Sequence, residues 1–186
     1  MKQKYPRQLM SANEINLVVS KIASEIVKDC SNLSQTVLIG IRRRGVLLAE
    51  LLQKKIEELS GSQLPLGIID ITFYRDDLSI VDTQPVVEGS NLNFDVNNLE
   101  VLLIDDVLYT GRTTRAALNS ILDYGRPKSI ELVVLVDRGH RELPIRAGYV
   151  GKIIVTRVEE VVDVQMTPID HVDGVFLTTK ALLKKG

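Results

Sequence analysis

The stretch VLLIDDVLYTGRTTRAAL, residues 101–118, places two acidic residues directly after four aliphatic ones. A short, continuous apolar run is typical of a strand that is buried on both faces of a parallel sheet. A segment rich in Thr and Gly follows, and the residues after it have the composition of a helix. The stretch therefore predicts a strand over 101–104, a turn, and a helix over roughly 112–123 that ends at Gly125.

The turn in this stretch is suited to an anion, and the two acids are suited to hydroxyl groups. A turn that leads into a helix offers unpaired backbone N–H groups and the positive end of the helix dipole. Gly111 lets the backbone approach an anion closely. Asp105 and Asp106 can accept hydrogen bonds from vicinal hydroxyls and attract a Mg²⁺ already bound to a ligand. The pattern indicates a ribose 5-phosphate site, although composition alone fits a strand ending on surface acids equally well.

The rest of the chain shows the same alternation of strand and helix patterns. Ser11 and Glu14 have the spacing of a capping box, and apolar residues then recur at helical spacing over 12–29. A second helical pattern follows Gly45. Further apolar runs predict strands at 36–41, 66–73 and 130–136.

Buried strands alternating with helices predict an α/β fold, a parallel sheet flanked by helices. The length of 186 residues suits one domain over 1–186. Residues 75–100 have no clear pattern and are expected to form a hairpin or a long loop. Three shorter strands are expected to form a small C-terminal hood over roughly 137–186 rather than more of the sheet. They lie near 149–155, 161–166 and 174–178.

The composition excludes several classes of protein. A net charge of −1 gives no overall attraction to nucleic acid or to an anionic membrane, so such a role would need a local patch. Cys30 is the only cysteine, which excludes an intrachain disulfide and a four-thiolate zinc site. The sequence has neither the apolar core of a signal peptide nor a run of transmembrane length. We expect a soluble, cytoplasmic protein with no membrane partner.

Three polar stretches follow predicted strands, at 42–45, 105–114 and 137–142. In open α/β sheets, ligands bind beyond the carboxyl ends of the strands. The first stretch contains three consecutive arginines, whose guanidinium groups suit the several oxygens of a pyrophosphate, and Gly45 gives the turn conformational freedom. A run of charged residues is more often a solvated loop, so the arginines alone leave both interpretations open.

The order of residues over 101–113 resembles the signature of the type I phosphoribosyltransferases, which bind phosphoribosyl pyrophosphate. The chain contains neither GxGxxG nor GxxxxGK[ST], the common alternatives for binding phosphate. The resemblance implies that Asp105 and Asp106 contact the ribose hydroxyls and act in catalysis, while 110–114 hold the 5-phosphate. The implied substrate-binding motif comprises Val101, Leu102, Leu103, Ile104, Asp105, Asp106, Val107, Leu108, Tyr109, Thr110, Gly111, Arg112, Thr113 and Thr114.

The same resemblance assigns roles to the other loops. It implies that Arg43 and Arg44 belong to a pyrophosphate loop. It also implies that Arg75 lies on a flexible loop, which closes over the reacting centre and excludes water.

The stretch LVDRGHRELPIRAGYVGK, residues 135–152, resembles the PyrR family of bifunctional pyrimidine-operon attenuation regulators and uracil phosphoribosyltransferases. The stretches GIRRRG and DITFYRDDLS extend the resemblance over most of the chain. It implies a glycosyltransferase that makes UMP and pyrophosphate from uracil and phosphoribosyl pyrophosphate, with Mg²⁺ carried by the substrate. Asp137, Arg138 and His140 would lie at the entrance of a hood that binds uracil largely through backbone groups.

The resemblance also implies a second role, as a regulator that responds to UMP or UTP and binds pyrimidine-operon leader RNA. A basic surface on a homodimer or higher homo-oligomer would bind the RNA, with Lys21, Arg146 and Lys152 as candidate contacts. The first helix, SKIASEIVKD, and the stretch GKIIVTR depart from the pattern expected of such a surface, and RNA affinity depends on the number of phosphates neutralised. A transferase without RNA regulation and a purine phosphoribosyltransferase remain alternatives.

Overall fold

The computed structural model describes residues 6–71 and 89–183, and within them eight strands alternate with four α-helices. A single 3₁₀ turn, Leu33–Gln35, precedes the second strand. The elements are β1 (Arg7–Ser11), α1 (Ala12–Asp29), β2 (Thr36–Ile41), α2 (Arg44–Ser60), β3 (Leu66–Ile69), β4 (Glu100–Leu108), α3 (Arg112–Tyr124), β5 (Ser129–Asp137), β6 (Tyr149–Ile153), β7 (Glu160–Gln165), β8 (Gly174–Thr179) and α4 (Lys180–Leu183).

Five parallel strands form the main sheet in the order β3-β2-β4-β5-β6, so the predicted α/β fold is confirmed. Strand side chains alternate between two apolar clusters. Leu38 and Leu102 pack with apolar residues of α1 and α2, whereas Ile39 and Leu103 pack with those of α3. Because both faces of the sheet are covered, the central strands read as continuous apolar runs.

The first helix begins and ends where its pattern predicts. The Ser11 backbone N–H donates to Glu14 Oε2 at 2.7 Å, and the Glu14 N–H donates back to Ser11 Oγ at 3.4 Å. This reciprocal capping box satisfies two backbone donors that the helix itself cannot pair. No helix in the described ranges is both long and apolar enough to cross a membrane.

The prediction that the strand after residue 100 ends at Ile104 is wrong, because β4 continues to Leu108. Its pairing with β2 ends at Ile104, but its pairing with β5 continues as far as Leu108. The two acids therefore lie inside a strand that is hydrogen-bonded on one side. On the other side β2 is no longer paired with β4, and the start of α2 packs against Asp105 instead.

The expectation that all the short strands after residue 137 belong to the hood is also wrong. β6 pairs in parallel with β5 and forms the fifth strand of the main sheet. Gly151 permits this, because a Cβ there would lie 2.5 Å from both the Leu135 carbonyl oxygen and Val18 Cγ1. The hood sheet instead has the order β1-β8-β7, with antiparallel pairing. Its edge strand β1 comes from the other end of the chain and was not predicted.

Gly45 lies within α2 rather than in a flexible turn, which corrects the role expected for it. A Cβ at this position would lie 2.6 Å from the Ile104 carbonyl oxygen and 3.3 Å from Asp105 Cα. The missing side chain therefore lets the start of α2 pack directly against β4. This contact places Arg44 beside the acids of the neighbouring strand.

We expect Gly45→Ala to lower the free energy of unfolding by about 1–3 kcal/mol, because the added Cβ would force α2 away from β4. The loss should appear although Ala is the better helix former by about 1 kcal/mol. Urea denaturation measures the change. Glu50→Ala, at an exposed position of the same helix, is the control and should change stability by less than about 0.5 kcal/mol. An unchanged midpoint for Gly45→Ala would contradict the contact.

Candidate active site

The carboxyl ends of β2, β4 and β5 lie at the same edge of the main sheet because these strands are parallel neighbours. The polar stretches 42–45, 105–114 and 137–142 occur at those ends. Ligands of open α/β sheets bind at this edge. The candidate active site is therefore built from three loops that are far apart in the sequence.

The turn between β4 and α3 requires a glycine at its centre. Gly111 has a φ of 92°, a conformation that residues with a Cβ rarely adopt, and it precedes the first residue of α3. A Cβ there would approach Leu143 and Ile145 to 3.4 and 3.3 Å. The N-cap residue Gly111 has no side chain that could cap α3, and the N–H of its first residue, Arg112, donates to Thr110 Oγ1 at 3.3 Å. Such a helix start favours an anion.

A cavity of about 370 Å³ lies over this turn, lined by residues 107–114, Glu142 and Lys180. Arg112 Nε and Nη2 each lie 2.7 Å from Glu142 Oε2, so the arginine of the turn is paired with a carboxylate of the next loop. The Glu142 N–H also donates to the Thr110 carbonyl at 3.0 Å. An anion in this cavity would meet main-chain N–H groups and threonine hydroxyls. Sequence reasoning missed Glu142, because no local pattern indicates its partner.

The two acids of β4 differ in exposure. Asp105 is buried and its Oδ1 accepts the Asp106 N–H at 2.9 Å, while the half-buried Asp106 accepts the Val107 N–H at the same distance. Burial raises the pKa of Asp106 above its ordinary value, and the positive charge of Arg44 acts in the opposite direction. A cation or hydroxyl groups arriving at Asp106 would replace solvation that this carboxylate lacks.

The three arginines after β2 have different surroundings. Arg44 Nε and Nη2 donate to the two carboxylate oxygens of Asp170 at 2.9 Å each, and Asp163 Oδ1 lies 3.9 Å from Nη2. Arg42 Nε lies 3.9 Å from Asp70 Oδ2, and the Arg42–Arg43 peptide is cis. Arg43 is exposed. The Arg44 pair ties the predicted pyrophosphate loop to the hood, and this partner was not predicted.

Arg138 is buried and fixes Tyr109, the residue before the predicted phosphate turn (residues 110–114). Its guanidinium lies 3.9 Å from the ring centre of Tyr109, and its Nη2 donates to the Glu160 carbonyl at 2.7 Å. Burial lowers the pKa of this guanidinium. The stacked pair therefore joins the end of β4 to the first residue of the hood strand β7.

His140 and Asp137 are also held by contacts within the protein. His140 Nε2 lies 2.8 Å from the Thr156 carbonyl oxygen, and its backbone has a φ of 59°. Asp137 Oδ1 accepts the Gly139 N–H at 2.9 Å, and Oδ2 accepts a hydrogen bond from Arg141 Nη2. These side chains shape the loop after β5, and a direct contact with uracil stays a prediction.

Arg141 is a site residue that sequence reasoning missed. Its Nη1 donates to the carbonyl oxygens of Tyr109, Gly139 and Leu108 at 2.7, 3.2 and 3.3 Å, and its Nε donates to that of Ile145 at 3.1 Å. One guanidinium therefore holds the end of β4 and the loop after β5 together. The sequence gives no indication of this, because all its acceptors except the Asp137 carboxylate are main-chain oxygens.

Four candidate residues remain. Arg75 lies outside the described residues. Lys21 is exposed on α1 and lies 3.6 Å from Glu25, Lys152 Nζ donates to the Leu9 carbonyl at 3.0 Å, and Arg146 is exposed. A role for these three cations in RNA binding stays a prediction.

Comparison with known proteins defines the class. Residues 7–168 match the family model described as Phosphoribosyl transferase domain. A hypoxanthine phosphoribosyltransferase from Staphylococcus aureus has a TM-score of 0.69 and 23% identity, covering 95% of this chain and 94% of its own. One from Trypanosoma cruzi has a TM-score of 0.73 and 17% identity, covering 96% and 97%. The site therefore lies in a phosphoribosyltransferase, with the type I fold.

Relatives of higher identity narrow the class. Proteins named Bifunctional protein PyrR are 51% identical in Clostridioides difficile, over 91% of this chain and 96% of the relative, and 48% identical in Caldicellulosiruptor bescii, over 92% and 94%. The relative of that name in Acetivibrio thermocellus is 46% identical over 96% of both chains. The chain belongs to the PyrR family, as its resemblance over residues 135–152 indicated.

Asp106 and Asp170 should change stability with pH in opposite directions. Burial raises the pKa of Asp106 in the folded state. Its contribution to the free energy of unfolding is therefore complete below the ordinary aspartate pKa, and it is lost as pH rises through the raised pKa of the folded state. The bidentate hydrogen bond from Arg44 lowers the pKa of Asp170, so that contribution is present above the ordinary value and is lost as pH falls through the folded one.

We expect the free energy of unfolding of the wild type, minus that of Asp106→Asn, to increase as pH falls from about 7 to 4. The corresponding difference for Asp170→Asn should decrease as pH falls below about 4. Urea denaturation across this pH range measures both, and each variant is the control for the other. Two differences that change in the same direction would contradict these surroundings of the carboxyls.

Proposed function

We propose that this chain transfers the phosphoribosyl group of phosphoribosyl pyrophosphate to uracil, which gives UMP and pyrophosphate. It also acts as a UMP- or UTP-responsive regulator that binds the leader RNA of pyrimidine genes. The proposal rests above all on the placement of Asp105 and Asp106 near the carboxyl end of β4, beyond its pairing with β2 and just before the turn that leads into α3. The resemblance of residues 135–152 and the relatives named Bifunctional protein PyrR support uracil as the base.

The two ends of the substrate meet groups of opposite character. The 5-phosphate binds at the start of α3, where main-chain N–H groups and the helix dipole favour an anion. The ribose hydroxyls donate to the carboxylates of Asp105 and Asp106. The site therefore orients the sugar, with its anomeric carbon directed toward the loops that follow β2 and β5.

Uracil displaces pyrophosphate at the anomeric carbon, and positive charge develops on the sugar during this step. The carboxylates of Asp105 and Asp106 stabilise that charge electrostatically, without a covalent nucleophile. Arg43, which is exposed after β2, is available for pyrophosphate oxygens. Arg44 would need to exchange the Asp170 carboxylate for the ligand, or bind both.

Mg²⁺ would enter this site bound to the substrate. The described residues contain no group of three or more His, Cys, Asp or Glu side chains that could hold a metal. Two adjacent carboxylates can complete the coordination of an ion that keeps water and phosphate ligands. When bound, Mg²⁺ neutralises the charge of the leaving pyrophosphate.

The hood binds uracil mainly through its main chain. Arg138 and His140 direct their side chains to carbonyl oxygens of residues 156 and 160, so their own backbone segment is held in a defined conformation. The purine alternative has less support. The hypoxanthine phosphoribosyltransferases of similar structure are only 17–23% identical, which reflects the fold and not the base.

We expect a folded preparation to form UMP from uracil, phosphoribosyl pyrophosphate and Mg²⁺, and to discriminate against hypoxanthine, guanine and adenine. Asp105→Asn and Asp106→Asn should each lower kcat/KM by about 100- to 1,000-fold, because each removes a charge aimed at the developing cation. Product chromatography measures the turnover. Asp29→Asn, exposed at the end of α1, is the matched control and should retain activity. No UMP, or preferential turnover of a purine, would refute the proposal.

The regulatory role requires RNA binding by a cytoplasmic homodimer or higher homo-oligomer. We expect leader RNA to be retained on a filter more strongly when UMP is present. Arg146→Ala and Lys152→Ala should weaken retention and reduce its salt dependence by about one phosphate contact each. Lys54→Ala, an exposed lysine on α2, is the control of equal charge. If retention changes neither with UMP nor with the two substitutions, the regulatory role is refuted and the transferase activity remains.

A further inference from the structure

The cavity over the phosphate turn contains a lysine that the sequence motif does not include. Lys180, the first residue of α4, lines this cavity together with residues 107–114 and Glu142. Its side chain is exposed, and no ion pair joins it to a carboxylate of residues 6–71 or 89–183. Arg112, by contrast, is paired with Glu142, and that pair is neutral overall. Lys180 therefore adds a net positive charge to the wall of the cavity.

The position of Lys180 follows from a series of buried contacts. Tyr109, just before the phosphate turn, stacks on the Arg138 guanidinium, and Arg138 donates to the Glu160 carbonyl. Glu160 is paired with Thr179 in the ladder between β7 and β8. Because Lys180 follows Thr179 directly, the hood sheet brings it to the phosphate turn. The placement is therefore a consequence of the fold and does not depend on a chance orientation of the chain end.

The cavity is larger than a single phosphate group requires. Cavities of about 300–1,000 Å³ hold whole small ligands, and this one measures about 370 Å³. The main-chain N–H groups and hydroxyls of the turn are sufficient for one phosphate. Lys180 and the neutral Arg112–Glu142 pair also line this cavity.

We propose that Lys180 forms a second anion subsite beside the phosphate turn, which binds the outer phosphates of a uridine 5′-di- or triphosphate. The inference rests on the proposed function, since it assumes that a uridine nucleotide places its first phosphate in the turn. The subsite makes the protein discriminate between nucleotides by the number of their phosphates. UMP uses the turn alone, whereas UDP and UTP also contact Lys180.

Calorimetric titration of the full chain with UMP, UDP and UTP tests the subsite. Lys180→Ala should weaken UTP binding by about tenfold, the value of one charge-assisted contact, and UMP binding by less than about twofold. Lys180→Arg should restore most of the affinity for UTP. Lys54→Ala removes the same charge on α2, far from the turn, and should leave the ratio of UTP to UMP affinity unchanged.

The possible failures are distinguishable. If Lys180→Ala, with an unchanged urea midpoint, leaves the UTP to UMP affinity ratio at the wild-type value, the subsite is refuted while the proposed function stands. If the wild-type protein binds no uridine nucleotide, the proposed function is refuted, and the subsite with it. A ratio that falls in Lys180→Ala and returns in Lys180→Arg supports the subsite. The UTP to UMP affinity ratios of the wild type and of Lys180→Ala should become more similar at high salt, because the contact between Lys180 and the outer phosphates is exposed to solvent.

Discussion

The site depends on the point at which the central strand loses one of its two neighbours. β4 is paired with β2 only as far as Ile104, but it remains paired with β5 as far as Leu108. After β2 the chain turns the other way, since the Arg42 N–H donates to the Ile69 carbonyl of β3. On that side of β4 the start of α2 takes the place of β2, because Gly45 packs against Ile104 and Asp105, while the other side stays paired with β5. The two carboxylates are therefore held by a strand that keeps one sheet neighbour, and on its other side they lie near the start of α2 and the charge of Arg44.

Three contacts made by arginines connect the loops around the candidate site. Arg44 binds Asp170, Arg112 binds Glu142, and Arg138 stacks on the ring that precedes the phosphate turn. In the first two, a carboxylate of the protein occupies an arginine of the candidate site. The Arg44–Asp170 pair is partly buried, and breaking one partner of such a pair costs more than the pair contributes, so Arg44 is held in place before a ligand arrives. The Arg112–Glu142 pair is exposed and contributes little to stability. Because Arg112 is paired with Glu142, an anion at the turn would be attracted mainly by main-chain N–H groups and by a cation that has no carboxylate partner.

Much of the fold could be predicted from periodicity, because strands covered on both faces leave continuous apolar runs. The predictions failed where this signal is weak. β6 is mostly half-exposed or exposed, and in β1 only Met10 is buried, so neither strand has a clear pattern. Of the site, the acids and the turn were predictable from local order. The pair between Arg44 and Asp170 joins residues 126 positions apart, and no local pattern specifies such a contact.

The distribution of these contacts also bears on where specificity for the base resides. Hypoxanthine phosphoribosyltransferases share the fold at TM-scores near 0.7 with fewer than a quarter of residues identical. The fold is therefore compatible with very different sequences, and it does not by itself specify a base. The loop after β5 is held by its own side chains, since Arg138, His140 and Arg141 each contact a main-chain oxygen. Side chains used in this way fix the position of a backbone, and a fixed backbone can present a defined set of donors and acceptors to one base edge. The conformation of this loop is maintained largely by arginine side chains, so substitutions at those arginines would change the loop even where their side chains contact only the protein.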